Sequence, residues 1–354
     1  MRLGNPWNVS EEGFPLQGEP EEKLRFLLNY AVLAPSGHNT QPWLFRLSAD
    51  EVELYADRTR GLPVVDPEDR ALIISCGAAL FYLRIALRHF GYAGEIETFP
   101  DPDEKDLLAR VRSGAQQEAT EEEQRLFRAI PERHSNRQAF EDRQVPDRLL
   151  SALQAAAWEE GAWLHLAEEA EIKHKIAELT SEGDRIQHAD RRFRRELAAW
   201  MHPNRSRSRD GVPGYALGFG EIMSAAGPLV VRTFDMGSGQ AAKDRQLAEG
   251  SPVLAVLGTE NDTPAAWLAA GQALARVLLR AQAEGVSASF LNQPIEVSEL
   301  RPQLREAIGK TGFPQLLLRM GYGPDVRPSL GVPWKKSSST NFLHLLRKRE
   351  RRQH

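Results

Sequence analysis

Three short segments of this chain concentrate side chains able to grip a polar ligand. The first, Ala34-Pro-Ser-Gly-His-Asn-Thr-Gln-Pro-Trp43, is a compact turn between an apolar helix and an apolar strand. Its backbone N–H groups, with the Ser36 hydroxyl and the Asn39 and Gln41 amides, can meet the edge of a flat polar heterocycle. Clusters of Gly, Pro and Asn also make ordinary turns closed by a buried Trp. The second segment, Arg133-His-Ser-Asn-Arg137, sets two guanidinium groups around a hydroxyl. Arg offers forked, permanently charged donors, which suit a phosphate monoester. In extended backbone Arg133, Ser135 and Arg137 share one side, although a solvated basic loop reads the same way. The third, Phe290-Leu-Asn-Gln-Pro-Ile-Glu296, ends a strand. Its Asn292, Gln293 and Glu296 can line a ligand edge, or the acid can simply sit at a helix start.

The elements around these segments follow from hydrophobic period and punctuation. Residues 1–20 read as an irregular arm. A helix over 21–33 puts Leu24, Leu27, Leu28 and Ala31 on one face and stops at Pro35. Apolar runs at 43–47 and 52–55, split by a polar turn, read as a hairpin. A helix over 70–90 is apolar nearly all round and is expected to be central and buried. Residues 101–125 are strongly charged and mark the expected boundary between halves. Beyond it come a helix over 147–158, a strand over 162–166 and one long charged helix over 169–200. A basic, Gly- and Pro-rich loop spans 202–220, and a buried strand spans 252–258. An apolar helix over 264–283 and strands over 288–291 and 316–320 complete the pattern. The expected division is 1–125, 126–334 and a basic tail over 335–354.

An internal repeat links the two halves. Gly77-Ala-Ala-Leu80 aligns with Gly271-Gln-Ala-Leu274, both helices end at a glycine (Gly91 and Gly285), and the same register sets Pro100 opposite Pro294. A duplicated chain can fold as a pseudo-twofold pair in place of a homodimer, and so remain a monomer.

Composition narrows the class of function. Of 354 residues 41% are hydrophobic, and the net charge is only −4, which argues against general nucleic-acid binding. The N-terminus lacks a basic region followed by an apolar run. No stretch is expected to reach the ~20 apolar residues of a membrane span, and a cytoplasmic protein is expected. The one cysteine, Cys76, excludes an intramolecular disulfide; inside an apolar helix it reads as a core residue. The nine histidines show no zinc-ligand spacing, so no metal is assigned. No G-x-G-x-x-G opens a helix after a strand. Arg205, Arg207 and Arg209 read as a solvated loop, or alternatively as a lid or a site for a nicotinamide phosphate.

Taken together, these segments resemble the FMN-dependent nitroreductases. The 34–43 turn resembles the loop after that family's first core helix, and the stretch from Arg133 to Phe140 resembles its phosphate segment. Asn292-Gln-Pro-Ile-Glu296 resembles its Pro-Ile-Glu loop beside the flavin, with Val297 where the family often has Gly. Leu317 to Gly323 resembles its last core strand. Val65 to Arg70, Ser75 to Leu80 and Arg88 to Gly91 resemble the Acg-type, two-copy branch in particular. The resemblance spans roughly residues 24–330 and implies an α+β fold of two nitroreductase-like halves, with a mixed sheet in each packed on long apolar helices. It implies one composite FMN site, because the first half lacks the Arg-Ser segment and the second has Glu159-Glu160-Gly161 in place of the turn. It further implies Arg133, His134, Ser135, Arg137 and Arg327 around the phosphate and ribityl chain. Pro35, Ser36, Gly37, Asn39 and Gln41 would face the ring and ribityl chain, with Gln293, Pro294 and Glu296 at the ring edge. The cofactor carries the chemistry in such a site, so no catalytic side chain is required. NAD(P)H is the implied electron donor and a small nitro, quinone or related molecule the acceptor. A protein that holds or sequesters FMN with little turnover is the rival reading.

Overall fold

The computed structural model describes residues 7–328 and Gly331; the basic tail anticipated over 335–354 lies outside the described residues. α1 (Pro20–Ala31) opens with Pro in its first turn and a reciprocal cap between Glu19 and Glu22, and it buries Leu24, Leu27 and Leu28. β1 (Trp43–Ser48) and β2 (Glu51–Ala56) form the antiparallel hairpin. α2 (Arg70–His89) follows, and the Asp66 carboxylate accepts the Ala71 and Leu72 N–H groups of its first turn at 3.0 and 2.9 Å. β3 (Glu95–Thr98) and β4 (Leu107–Arg112) complete the first sheet, and α3 (Glu121–Ala129) runs across the expected boundary at residue 125.

The second half begins with α4 (Asp147–Glu159) and β5 (Trp163–Ala167). Then comes an insertion: α5 (Ala170–Ala189), α6 (Arg191–Trp200), the two-residue strands β6 (Met201–His202) and β7 (Val212–Pro213), α7 (Glu221–Thr233) and α8 (Gly237–Glu249). β8 (Val253–Thr259), α9 (Pro264–Ala283), β9 (Ser287–Phe290), α10 (Gln293–Glu296), α11 (Arg301–Ala307) and β10 (Phe313–Gly321) follow.

The two four-stranded sheets have matching topology, β1-β2-β4-β3 and β5-β8-β10-β9. Their neighbouring strands are antiparallel. In each half a helical crossover leads to the edge strand, and the next strand turns back and inserts between the two that would have been parallel. The α+β class holds. The two four-stranded sheets are not themselves mixed: among the described residues the parallel pairings are β6 with β7 and the isolated bridge between Ser135 and Ala288.

α2 and α9 form the seam between the halves, and the repeated glycines explain how closely they cross. A Cβ on Gly77 would lie 2.2 Å from the Leu268 carbonyl oxygen, and one on Gly271 would lie 2.0 Å from that of Ile74. Only glycine lets these backbones touch. Both helices end alike as well. Gly91 and Gly285 take left-handed φ of 87° and 74°, and the Tyr92 and Val286 N–H groups reach back to the Leu87 and Ala281 carbonyls at 3.0 and 2.9 Å. Cys76 is buried in α2, its thiol pointed at the Pro42 carbonyl oxygen 3.3 Å away, and burial pushes its pKa up.

Three expectations are corrected. Among the described residues α2 alone is long and apolar enough to cross a membrane by length and composition, whereas the sequence reading found no such stretch; 89% of that segment is buried in the core. The charged 101–125 stretch, for which no strand was expected, contains β4, whose Leu107, Leu108, Ala109 and Val111 are buried, the strand pairing with β2 and β3. The long helix over 169–200 is two helices. Asp190 between them is extended (φ −75°, ψ 119°), and its carboxylate accepts the Arg192 N–H at 2.7 Å to start α6 afresh.

Candidate functional site

The turn after α1 is held by its own atoms. The Ser36 hydroxyl accepts the Gln41 N–H at 2.9 Å, and a single 3₁₀ turn spans Gly37–Asn39. His38, Asn39 and Gln41 have φ of 47°, 55° and 52°. Three non-glycine residues in the left-handed region cost on the order of 1 kcal/mol each, a strain that clusters at binding sites. The turn is also pinned from outside. The Asn39 side-chain amide donates to the Gly211 carbonyl at 3.0 Å, and the Gly211 N–H returns to the Asn39 carbonyl at 3.1 Å. The Gln41 amide donates to the Arg209 carbonyl at 2.9 Å, and Arg60 pairs with Asp210. The 209–211 loop of the insertion therefore sits on the turn expected to face the ring. Pro35 is buried and Gly37 exposed.

The Arg133–Arg137 segment crosses from α3 to the edge of the second sheet. Arg133 is 7% exposed and reaches into the first half, donating to the Tyr82 hydroxyl at 2.7 Å and the Leu33 carbonyl at 3.4 Å. His134 packs edge-on against Trp7 at 4.4 Å, and burial beside Arg133 lowers its pKa to about 4. Ser135 makes the parallel bridge, and the Asn136 N–H donates to the Ala288 carbonyl at 2.9 Å. Arg137 has no hydrogen-bond acceptor among the described residues, and burial lowers its pKa although Asp244 opposes the shift. His38 from the first half faces Arg137; burial, then that guanidinium, holds its imidazole down to about 4.

Arg319 in β10 is the residue that organises this segment. It is 1% exposed and donates to the Gln138 and Asn136 carbonyls at 3.0 and 3.1 Å, on either side of Arg137. Its guanidinium lies 4.4 Å from the Phe140 ring centroid, its Nε has no partner, and burial lowers its pKa to about 10. The sequence reading did not single it out, although a lone charge within Leu316-Leu-Leu-Arg-Met320 was the available signal.

α10 presents the third segment. The Gln293 amide donates to both Asp184 and Asp244, at 3.1 and 2.9 Å, while its oxygen is buried without a partner. Burial and then repulsion from Asp244 push the Asp184 carboxyl up to about 8. Pro294 is buried in the first turn, and Glu296 accepts from Gln187 at 2.7 Å, with burial raising its pKa. Arg327 stands apart from these groups. It is exposed and stacks 4.5 Å from the Tyr215 ring, whose hydroxyl donates to the Pro328 carbonyl at 2.7 Å. Asp184, Asp244 and Gln187 were missed because the helices that carry them are charged throughout, so buried acids there look like solvated ones.

Against this geometry, the Nitroreductase family model matches residues 130–322. A Mycobacterium tuberculosis protein whose name assigns it provisionally to the NAD(P)H nitroreductases, Rv3131, is 33% identical over 86% of this chain and 86% of its own. The M. tuberculosis protein acg, named in the same provisional way, is 25% identical over 86% of this chain and 90% of its own. Among solved structures, the FMN and NADPH-dependent nitroreductase NfnB of a Sphigopyxis strain aligns with a TM-score of 0.40 and 18% identity, covering 60% of this chain and 96% of that one. The chain belongs to the nitroreductase family. Within it, acg and its mycobacterial relatives match over nearly their full length, in keeping with the Acg-type branch.

Proposed function

We propose that the chain holds one FMN between its halves and acts as a flavin-dependent oxidoreductase of the nitroreductase kind. The observation that carries this reading is the set of arginines around residue 136. Arg133 and Arg319 are buried, Arg319 holds the carbonyls on either side of Arg137, and no carboxylate stands within ion-pair distance of any of the three among the described residues, Asp244 acting on Arg137 and Arg319 only from farther off. Buried charge is normally paired, so Arg137 and Arg319, close enough to repel each other and without an ion-pair partner, fit a phosphate supplied by a ligand. Arg133, Ser135 and Arg137 would hold that phosphate with His134 packed behind them, and Arg319 would fix the backbone that presents Arg137. Arg327, stacked on Tyr215 away from these groups, would have to turn toward them to add the further cation that the resemblance implies. Pro35, Ser36, Gly37, Asn39 and Gln41 would line the ring from the first half, with Gln293, Pro294 and Glu296 at its edge. When bound, the flavin supplies the redox chemistry: it takes hydride from NAD(P)H and passes electrons to an acceptor. The names of the relatives support NAD(P)H as donor. We read residues 1–125 and 126–334 as duplicated halves, a division supported by the matching strand orders.

Purified chain is expected to be yellow and to release one FMN per polypeptide on acid extraction. Two per chain, FAD, or a colourless protein that takes up no FMN would overturn the reading. Arg137→Ala should weaken FMN by roughly 1.5–3 kcal/mol, the usual loss for a charge-assisted contact, while Arg205→Ala, 88% exposed and paired with Glu221, leaves it unchanged. Equal losses in a fluorescence titration would count against the assignment.

A second reading, an FMN-holding protein with slow turnover, is favoured by the hydrogen bonds from Asn39 and Gln41 to the 209–211 loop. If that loop covers the ring, deleting residues 205–219 speeds anaerobic flavin reduction by NAD(P)H in stopped-flow absorbance. Fast reduction of the intact chain, unchanged by the deletion, removes this reading.

A further inference from the structure

A cavity of about 350 Å³ lies between residues 65–70 of the first half and residues 295–314 of the second, within the size range of small-molecule sites. Val65, Pro67, Ile295, Phe313 and Pro314 give it apolar walls. Arg70, at the start of α2, also lines it and is 7% exposed. One nitrogen of its guanidinium, Nη1, donates to the Gln315 carbonyl at 2.7 Å and the Gln315 amide oxygen at 3.0 Å. The other donors find no acceptor among the described residues, and no carboxylate comes within 4.0 Å.

That lack of a counter-ion is unusual because acids share the cavity, and three of them are committed elsewhere. Asp66 spends its oxygens on the Ala71 and Leu72 N–H groups. Asp262 is gripped by the Arg301 fork at 2.6 and 3.0 Å, with its pKa held down to about 2 by that pair and by Gln315 and Trp267. Glu296 receives the Gln187 amide. A buried guanidinium beside apolar walls, with the neighbouring acids bonded elsewhere and acting on it only from a distance, lacks a hydrogen-bonded anion.

We propose that this cavity binds a small organic monocarboxylate, its carboxylate on Arg70 and its apolar body against Phe313, Ile295 and the prolines. A monoanion fits better than a dianionic phosphate, because Glu68 and Glu296 also line the space and would repel a second charge. Arg301 also lines the cavity but is held by Asp262, so exposed Arg305 is the further cation open to the same group. The proposal does not depend on a flavin; of the residues assigned above to the cofactor, only Glu296 lines this cavity.

Isothermal titration of the full chain with benzoate tests it, with benzamide as the neutral isostere and inorganic phosphate as the competing anion. Benzoate is expected to bind saturably, one per chain, with benzamide and phosphate weaker by about tenfold or more. Arg70→Lys, which keeps the charge but loses the fork, should weaken benzoate by about tenfold. Ser298→Trp, at an exposed position on the cavity wall, should abolish binding while circular dichroism stays unchanged. That second variant keeps the test decisive if Arg70→Lys fails to fold. No saturable benzoate binding, equal binding of benzamide or phosphate, or unchanged binding in Ser298→Trp would overturn the proposal.

Discussion

Asp184 and Asp244 meet on one amide, Gln293, and are 3% and 8% exposed. Two carboxylates this close do not both ionise easily. Folded Asp184 keeps its proton up to about pH 8, whereas its unperturbed value is 3.8. Between those values the folded state binds more protons than the unfolded one, so this group makes stability fall as pH rises; below the window it contributes no dependence. Melting temperatures across about pH 4 to 8 are expected to decline more steeply for the native chain than for Asp184→Asn. Parallel curves for the two would show that the pair holds no shared proton. None of this was legible in the sequence, since the acids lie far apart in two charged helices and only tertiary packing brings them to Gln293. The 34–43, 133–137 and 290–296 segments were legible because each compresses unusual polar chemistry into a few residues flanked by apolar runs.

At the level of elements, period decided what could be read. α2 and α9 stood out because both are apolar for twenty residues, and the hairpin β1–β2 because two apolar runs flank a short turn. β4 was missed because its outward residues are charged: Arg110 and Arg112 pair with Glu51 and Glu53 on β2, so the strand hides in a charged stretch. The break at Asp190 was equally invisible, for a single capping acid among many charges carries no signal of its own. Where the sequence did speak, through the repeated glycines, the consequence is sharp. Gly271→Val places its first side-chain carbon where the Ile74 carbonyl oxygen stands. It should cost about 3 kcal/mol of stability or force the helices apart. Ala270→Gly, one position along in the same helix, should cost only about 1 kcal/mol. Urea denaturation of the two variants checks the contrast.

For the molecule as a whole, the two sheets repeat one topology, yet only the second half carries the α5–α8 insertion between its first two strands. In a symmetric homodimer such an insertion would appear twice; within one chain it appears once, with its 209–211 loop bonded to the 34–43 turn. The crossing of Gly77 with Gly271 has a further consequence, in time rather than space. The partners are 194 positions apart in the chain. At the usual ~5–20 residues per second of synthesis, α2 leaves the ribosome roughly 10–40 s before α9. For that interval a twenty-residue apolar helix has no second half to pack against. Nascent chains arrested between residues 130 and 260 are therefore expected to recruit a chaperone that recognises exposed apolar helices, and to release it once α9 has emerged. Crosslinking to such a chaperone that is independent of chain length would show that α2 is shielded some other way. The touching backbones that tie the finished protein together thus set an obligatory wait in its birth, which no shortening of the first half could remove.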